Sequence, residues 1–180
     1  MVRLLLAVLC IAPGLAPLPG ATLQWLSMDD LAGKATAIVR GRVSGAHAAF
    51  QGSTIYTHYQ IDVLERWKGV TGSTVDLMLP GGVAAGYRQT FSGVPQLVPG
   101  KEYMLFLWTG KSGNTQLMGL SQGMFEVFQD SSGQTMATRP ATSEMMLDAT
   151  GHPVQDQPVR MRLLDLAGLV LKNSTKSGGQ

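Results

Sequence analysis

Ile55-Tyr-Thr-His-Tyr-Gln-Ile-Asp-Val-Leu-Glu-Arg-Trp67 is the stretch on which the fold reading turns. Its odd positions carry Ile55, Thr57, Tyr59, Ile61 and Val63, and its even positions Tyr56, His58, Gln60 and Asp62. Successive side chains of a strand point to opposite faces, so this alternation predicts one long strand with a dry face and a wet face. Lys68-Gly69 begins the turn that ends it.

On the N-terminal side, Ala37-Ile-Val-Arg-Gly-Arg-Val43 has strand composition, with Gly41 marking a bulge or a close backbone approach. The small residues of Ala46–Ser53 predict a loop between these two strands. Ser27-Met-Asp-Asp30 predicts a short helix to about Lys34, with Ser27 as its cap and two carboxylates at the positive end of its dipole. On the C-terminal side, Thr74–Leu79 alternates again until Pro80-Gly-Gly82. The Gly- and Pro-rich residues 81–100 predict a long excursion with a short strand near Arg88–Phe91. Tyr103-Met-Leu-Phe-Leu-Trp108 is apolar throughout and too short for a typical helix, which predicts a central strand buried on both faces, Trp108 included. Leu117–Leu120, Met124–Phe128 and Gln134–Thr138 follow as strands, with turns at Asp130–Gly133 and Asp148–Gly151. From Pro158 the period changes: Val159, Leu163, Leu166, Ala167, Val170 and Leu171 recur at helical spacing. Residues 173–180 read as a disordered polar tail, and Asn173-Ser-Thr175 within it is a glycosylation sequon with no further support. A short helix, about seven strands and a C-terminal helix, without βαβ alternation, predict a mainly β barrel or sandwich.

The N-terminus has a different character. Met1-Val-Arg3, the apolar run Leu4–Ile11, and then Pro13, Gly14, Pro17 and Pro19 have the layout of a secretory signal. The run is too short to remain as a transmembrane anchor, and cleavage near Gly20 or Ala21 is expected. Cys10 lies inside that run behind Leu9, where a lipoprotein signal requires a small residue. Loss of residues 1–21 removes the only cysteine, and with it disulfides, thiolate zinc ligands and a thiol nucleophile. The expected product is secreted or periplasmic: a single domain over residues 22–172, followed by the tail. The 14 basic and 12 acidic residues are dispersed along the chain, which argues against a nucleic-acid partner. Hydrophobic residues, at 44% against 14% charged, argue against disorder of the whole.

Catalytic patterns are few. Gly119-Leu-Ser121-Gln-Gly123 matches the G-x-S-x-G elbow of serine hydrolases, and Asp130 or Asp148 and then His152 follow in triad order. An elbow needs strand, sharp turn and helix, however, whereas Met124–Phe128 alternates like a strand; two glycines around a serine then read as a β-bulge. A small esterase using Ser121, Asp148 and His152 is therefore the alternative reading. Gly81-Gly-Val-Ala-Ala-Gly86 has phosphate-loop spacing but continues as Tyr87-Arg88 where Lys and Ser/Thr are required. His47, His58 and His152 have no partner at metal-ligand spacing along the chain, so neither a metal nor a cofactor is expected. Glu65 and Glu126 lack a defined carboxylate partner. Of Trp25, Trp67 and Trp108, each expected to be buried, Trp67 is the candidate for an exposed anchor.

Several pieces in order resemble one family. Ala37-Ile-Val-Arg-Gly-Arg-Val43 and Tyr59-Gln-Ile-Asp-Val-Leu-Glu-Arg-Trp-Lys-Gly69 are similar to the first two strands of tissue-inhibitor-of-metalloproteinase-like (netrin-like) domains. Pro80-Gly-Gly82, Val94-Pro95, Gly100-Lys-Glu-Tyr-Met-Leu-Phe-Leu107 and Gln122-Gly-Met-Phe125 resemble a bacterial exported version of them. The resemblance covers roughly residues 35–130 and implies an OB-like, five-stranded antiparallel barrel with a packed helix. The inhibitors' zinc-chelating N-terminal cysteine has no counterpart once residues 1–21 are removed, so inhibition is not carried over. The expected function is an exported, non-catalytic binding module whose partner is an extracellular or periplasmic protein such as a protease. Gly81, Gly82, Tyr87 and Arg88 of the long excursion, with Trp67, are the candidate binding residues. A structural envelope protein is a further alternative.

Overall fold

Residues 21–69 and 72–177 are described by a computed structural model, so the expected signal segment lies, but for Ala21, outside the described residues. After strand β1 (Thr22–Gln24), helix α1 (Met28–Lys34) starts where Ser27 places it. The Asp30 amide donates to Ser27 Oγ at 3.0 Å, and the Ser27 amide donates back to Asp30 Oδ2 at 3.2 Å, a reciprocal capping box. At the other end, Lys68 Nζ donates to the carbonyls of Ala32 (2.6 Å) and Gly33 (2.8 Å), satisfying acceptors that the helix leaves open.

Strands β2 (Ala37–Gln51) and β3 (Thr54–Lys68) form one long antiparallel hairpin, turning over Gly52 at φ +62°. The stretch expected as a loop, 46–53, is strand as far as Gln51, because Ala46–Gln51 pairs residue by residue with Thr54–Tyr59. A complete backbone ladder outweighs the weak strand preference of alanine. Gly41 meets its expectation: the register shifts there, and a Cβ would run into the Ile61 side chain.

The chain continues through β4 (Thr74–Pro80), β5 (Gly82–Ala84), β6 (Tyr87–Gln89), β7 (Glu102–Thr109) and β8 (Thr115–Leu117). A 3₁₀ turn (Leu120–Gly123) leads into β9 (Met124–Gln129), β10 (Thr135–Arg139), β11 (Met145–Leu147), β12 (Pro153–Val154), β13 (Val159–Arg162) and helix α2 (Leu163–Ser177). The protein is thus mainly β. β2 pairs with β3 and β7, β3 with β4, and β7 with β8, all antiparallel, while β4 meets β8 in parallel at Leu77 and Thr115. From β7 the sheet extends outward through β9, β10 and β13, and β1, β11 and β12 form a separate small sheet.

Strand β7 divides the core, as its unbroken apolar run predicts. Tyr103, Leu105 and Leu107 pack with Val39, Ile61 and Leu77 on one face. Met104 and Phe106 pack on the other with Phe125, Leu31, Leu166 and Val170, beneath the two helices. Trp108 departs from expectation, at 45% exposed: the last two residues of β7, Trp108 and Thr109, both emerge from the core. Val159–Arg162, expected as helix, is instead β13, paired with β10; Val159 and Met161 pack toward the helix-side core while Arg160 and Arg162 are exposed. The helix itself continues through Ser177, so residues 173–177 are not the disordered tail expected of them; each further residue adds one backbone hydrogen bond to an existing helix.

Candidate functional site

The excursion after β4 is anchored at both ends of its β5–β6 hairpin. Gly81 (φ +99°) and Gly82 (φ +135°) leave β4 in conformations that favour glycine, and a Cβ on Gly82 would collide with Thr57 Oγ1. Thr57 Oγ1 donates to the Gly81 carbonyl at 2.7 Å, and the Gly81 amide donates to the Ile55 carbonyl at 2.7 Å. Gln89 completes the attachment: its Oε1 accepts from the Ile55 amide at 2.6 Å and its Nε2 donates to the Ser53 carbonyl at 2.9 Å. The small β5–β6 hairpin is thereby fastened onto the tip of the β2–β3 hairpin.

This attachment presents apolar side chains to solvent. Tyr87 is 68% exposed and its ring meets Phe50 edge to face, with centroids 6.1 Å apart. Val83, Phe91 and Arg88 are also exposed around them. The cavity beneath, lined by Tyr59, Gly81, Gly82, Phe91, Val94 and Pro95 among others, holds only about 70 Å³. That is room for water and not for an organic ligand. Burial pushes the Tyr59 phenol above its ordinary value.

Trp67 stands at the far end of β3 from this tip, so the structure separates it from Tyr87 and Arg88. It is half-buried, donates from Nε1 to Glu65 Oε2 at 3.1 Å, and lines a groove of about 360 Å³ with Arg40, Glu65, Arg162, Leu163 and Leu164. The groove's charges answer one another. Arg40 binds Glu65 at 2.6 Å and Glu102 at 2.7 Å, Arg42 binds Glu102 at 2.6 Å, and Arg162 binds Asp165 at 2.7 Å. Burial raises the Glu102 carboxyl, but the hydrogen bonds from Arg42 and Arg40 outweigh it and hold the group below its usual value.

The hydrolase pattern is not assembled. Its segment is the 3₁₀ turn Leu120–Gly123, entered through left-handed Gly119 (φ +64°) and followed by β9, not the expected bulge and not an elbow leading into a helix. Its glycines have structural reasons: Gly119 takes the left-handed conformation, and a Cβ on Gly123 would strike the Met118 carbonyl. Ser121 Oγ is buried without a hydrogen-bond partner among the described residues. His152, 79% exposed at the side chain, bonds Thr150 Oγ1 through Nδ1 at 2.7 Å, and Asp148 accepts the Thr150 and His152 amides of its own turn. Asp130 does the same for Ser132 and Gln134.

Sequence reasoning missed Phe50, the ring that packs against Tyr87, because its segment reads as a loop. The signal that could have found it was the two-residue turn Gly52-Ser53, which continues the register of the Ile55 strand backward onto Gln51. Among the described residues no helix is long and apolar enough to cross a membrane. Compared with known families, curated proteins and solved structures, the chain matches none.

Proposed function

We propose that this protein is an exported, non-catalytic binding module that recognises an extracellular or periplasmic protein through the aromatic surface formed by Phe50, Val83, Tyr87, Arg88 and Phe91. The observation that carries the reading is the Phe50–Tyr87 pair: two large rings in mutual contact, exposed, on a backbone held by four hydrogen bonds. Clustered exposed apolar side chains mark interaction sites, and Tyr and Arg are the residue types that dominate binding energy. Because the backbone beneath is already fixed, ordering it on association costs little. The near-neutral charge fits a partner found without electrostatic steering.

The barrel is proposed to be OB-like, as the netrin-like resemblance implies. Its support is the order of pairing: from β2 through β3, β4, β8 and β7 the partners return to β2. Export rests on the signal-like first 21 residues.

The test is retention of a partner from the native culture fluid or periplasm by immobilised wild-type protein and by the Phe50→Ala and Tyr87→Ala variants. Each ring should contribute about 2 kcal/mol, so each variant should bind the same partner roughly thirty-fold more weakly. Equal retention by wild type and the double variant would overturn the assignment.

A further inference from the structure

The strand that replaces the expected loop brings two histidines face to face. His47 on β2 is the direct cross-strand partner of His58 on β3, and their rings stack with centroids 5.1 Å apart and planes 12° from parallel. Along the sequence the two are 11 positions apart with no ligand spacing between them. Only the hairpin register makes them neighbours. They stand on the outward face of the hairpin, whose other face carries Val43, Tyr59 and Ile61 into the core.

We propose that His47 and His58 form a two-imidazole site for a divalent transition-metal ion of the Cu²⁺ and Zn²⁺ class. Three features of the pair support it. Directly opposed residues of an antiparallel ladder hold their Cβ atoms about 4.5–5.5 Å apart, so both side chains start from one rigid base. A metal about 2.0–2.1 Å from each nitrogen requires the two nitrogens to lie about 3–4 Å apart, which a tilt of one ring from the observed stack provides. The His47 ring makes no hydrogen bond among the described residues and is exposed, so it is the ring that tilts.

The third feature is Asp76 on β4. Its Oδ2 lies 2.9 Å from His58 Nδ1, and its Oδ1 3.2 Å. An ionised carboxylate only accepts, so Nδ1 carries the hydrogen and Nε2 keeps its lone pair free for a metal. A carboxylate behind a ligating imidazole in this manner fixes its tautomer and orientation and raises its basicity. The hollow of about 260 Å³ bordered by His47, Gln60 and Asp76 leaves the cation's remaining positions open to water. No three such side chains converge as a ready ligand set among the described residues, so the chain itself contributes two nitrogens. Imidazole ligands and the general order of divalent affinities place Cu²⁺ above Zn²⁺.

The test is titration of the tag-free protein with Cu²⁺ and Zn²⁺, followed by calorimetry, with the thermal midpoint read in parallel. One ion per chain should bind, Cu²⁺ the tighter. His47→Gln and His58→Gln should each weaken it at least tenfold and abolish the metal-induced rise in midpoint, while leaving the metal-free midpoint in place. Asp76→Asn should weaken it by about ten- to a hundred-fold, and His152→Gln should change nothing. Zn²⁺ titration of wild-type protein, read on the histidine ring nitrogens by NMR, needs no variant: His47 and His58 should shift together and His152 stay. Absence of saturable binding, unchanged binding in His47→Gln and His58→Gln, or a shift confined to His152 would overturn the site.

Discussion

Arg139 and Asp156 show what a single residue can cost. Their side chains are 10% and 3% exposed and meet in a two-pronged bridge of 3.0 and 2.9 Å. Asp156 also accepts the Thr142 amide at 2.9 Å, and the guanidinium lies 5.9 Å from the Phe125 ring centre. A buried pair of this kind adds little over an apolar pair, but removing one partner strands the other charge. Asp156→Ala should therefore cost about 3–5 kcal/mol in urea unfolding, and a cost below about 1 kcal/mol would show that water reaches the arginine. Glu102 carries a different signature. Its carboxyl sits below the unfolded value of 4.5, so its contribution to stability is complete above that pH and is lost as pH falls through the lower folded value. Unfolding midpoints should decline below about pH 4.5 more steeply in wild type than in Glu102→Gln. Parallel declines would mean that Arg40 and Arg42 bind that carboxylate no better than water does.

Elements were legible in proportion to how much of their stability is local. Strand β3 and the apolar β7 announce themselves because alternation and burial are properties of their own residues. The Ser27 capping box is equally local, and Ser27→Ala should cost about 1 kcal/mol, measured as faster amide exchange within α1. The outer half of β2 was not legible: Gly45-Ala-His-Ala-Ala-Phe-Gln51 has little strand preference and becomes strand because β3 offers it a complete ladder. Val159–Arg162 likewise satisfies both a helical and an alternating pattern, and the open edge of β10 decides between them. The candidate site inherits this division. Gly81, Gly82, Tyr87 and Arg88 stood out as a glycine-rich excursion, whereas Phe50 and His47 depended on a register that no single strand reveals. Gly82→Ala tests the fastening itself. With φ at +135° and Thr57 in the way, the Gly81 amide should exchange at least tenfold faster while the Leu105 amide is unchanged. Unchanged exchange at Gly81 would mean the excursion does not depend on that glycine.

At the scale of the molecule, β7 serves two cores at once, and the helices cover only part of its outer wall. Leu166 on α2 is fully buried against that wall, so Leu166→Ala should lose about 2–5 kcal/mol and unfold in a single transition. A transition split in two would separate the helix layer from the strands beneath it. Several residues that carry the family resemblance have structural duties here: Lys68 closes the end of α1, and a Cβ on Gly69 would run into the Thr36 carbonyl. Such positions serve the architecture and carry no information about a ligand. Two surfaces then compete for function. One is the aromatic tip around Tyr87; the other is the groove beside Trp67, whose charges are already paired and whose rim carries Leu164, 82% exposed. A photoreactive amino acid placed singly at positions 83, 87 and 164 in the native host distinguishes them directly. Adducts of one common mass should form from positions 83 and 87 and none from 164; adducts from 164 alone, or from none of the three, would contradict recognition through the aromatic tip.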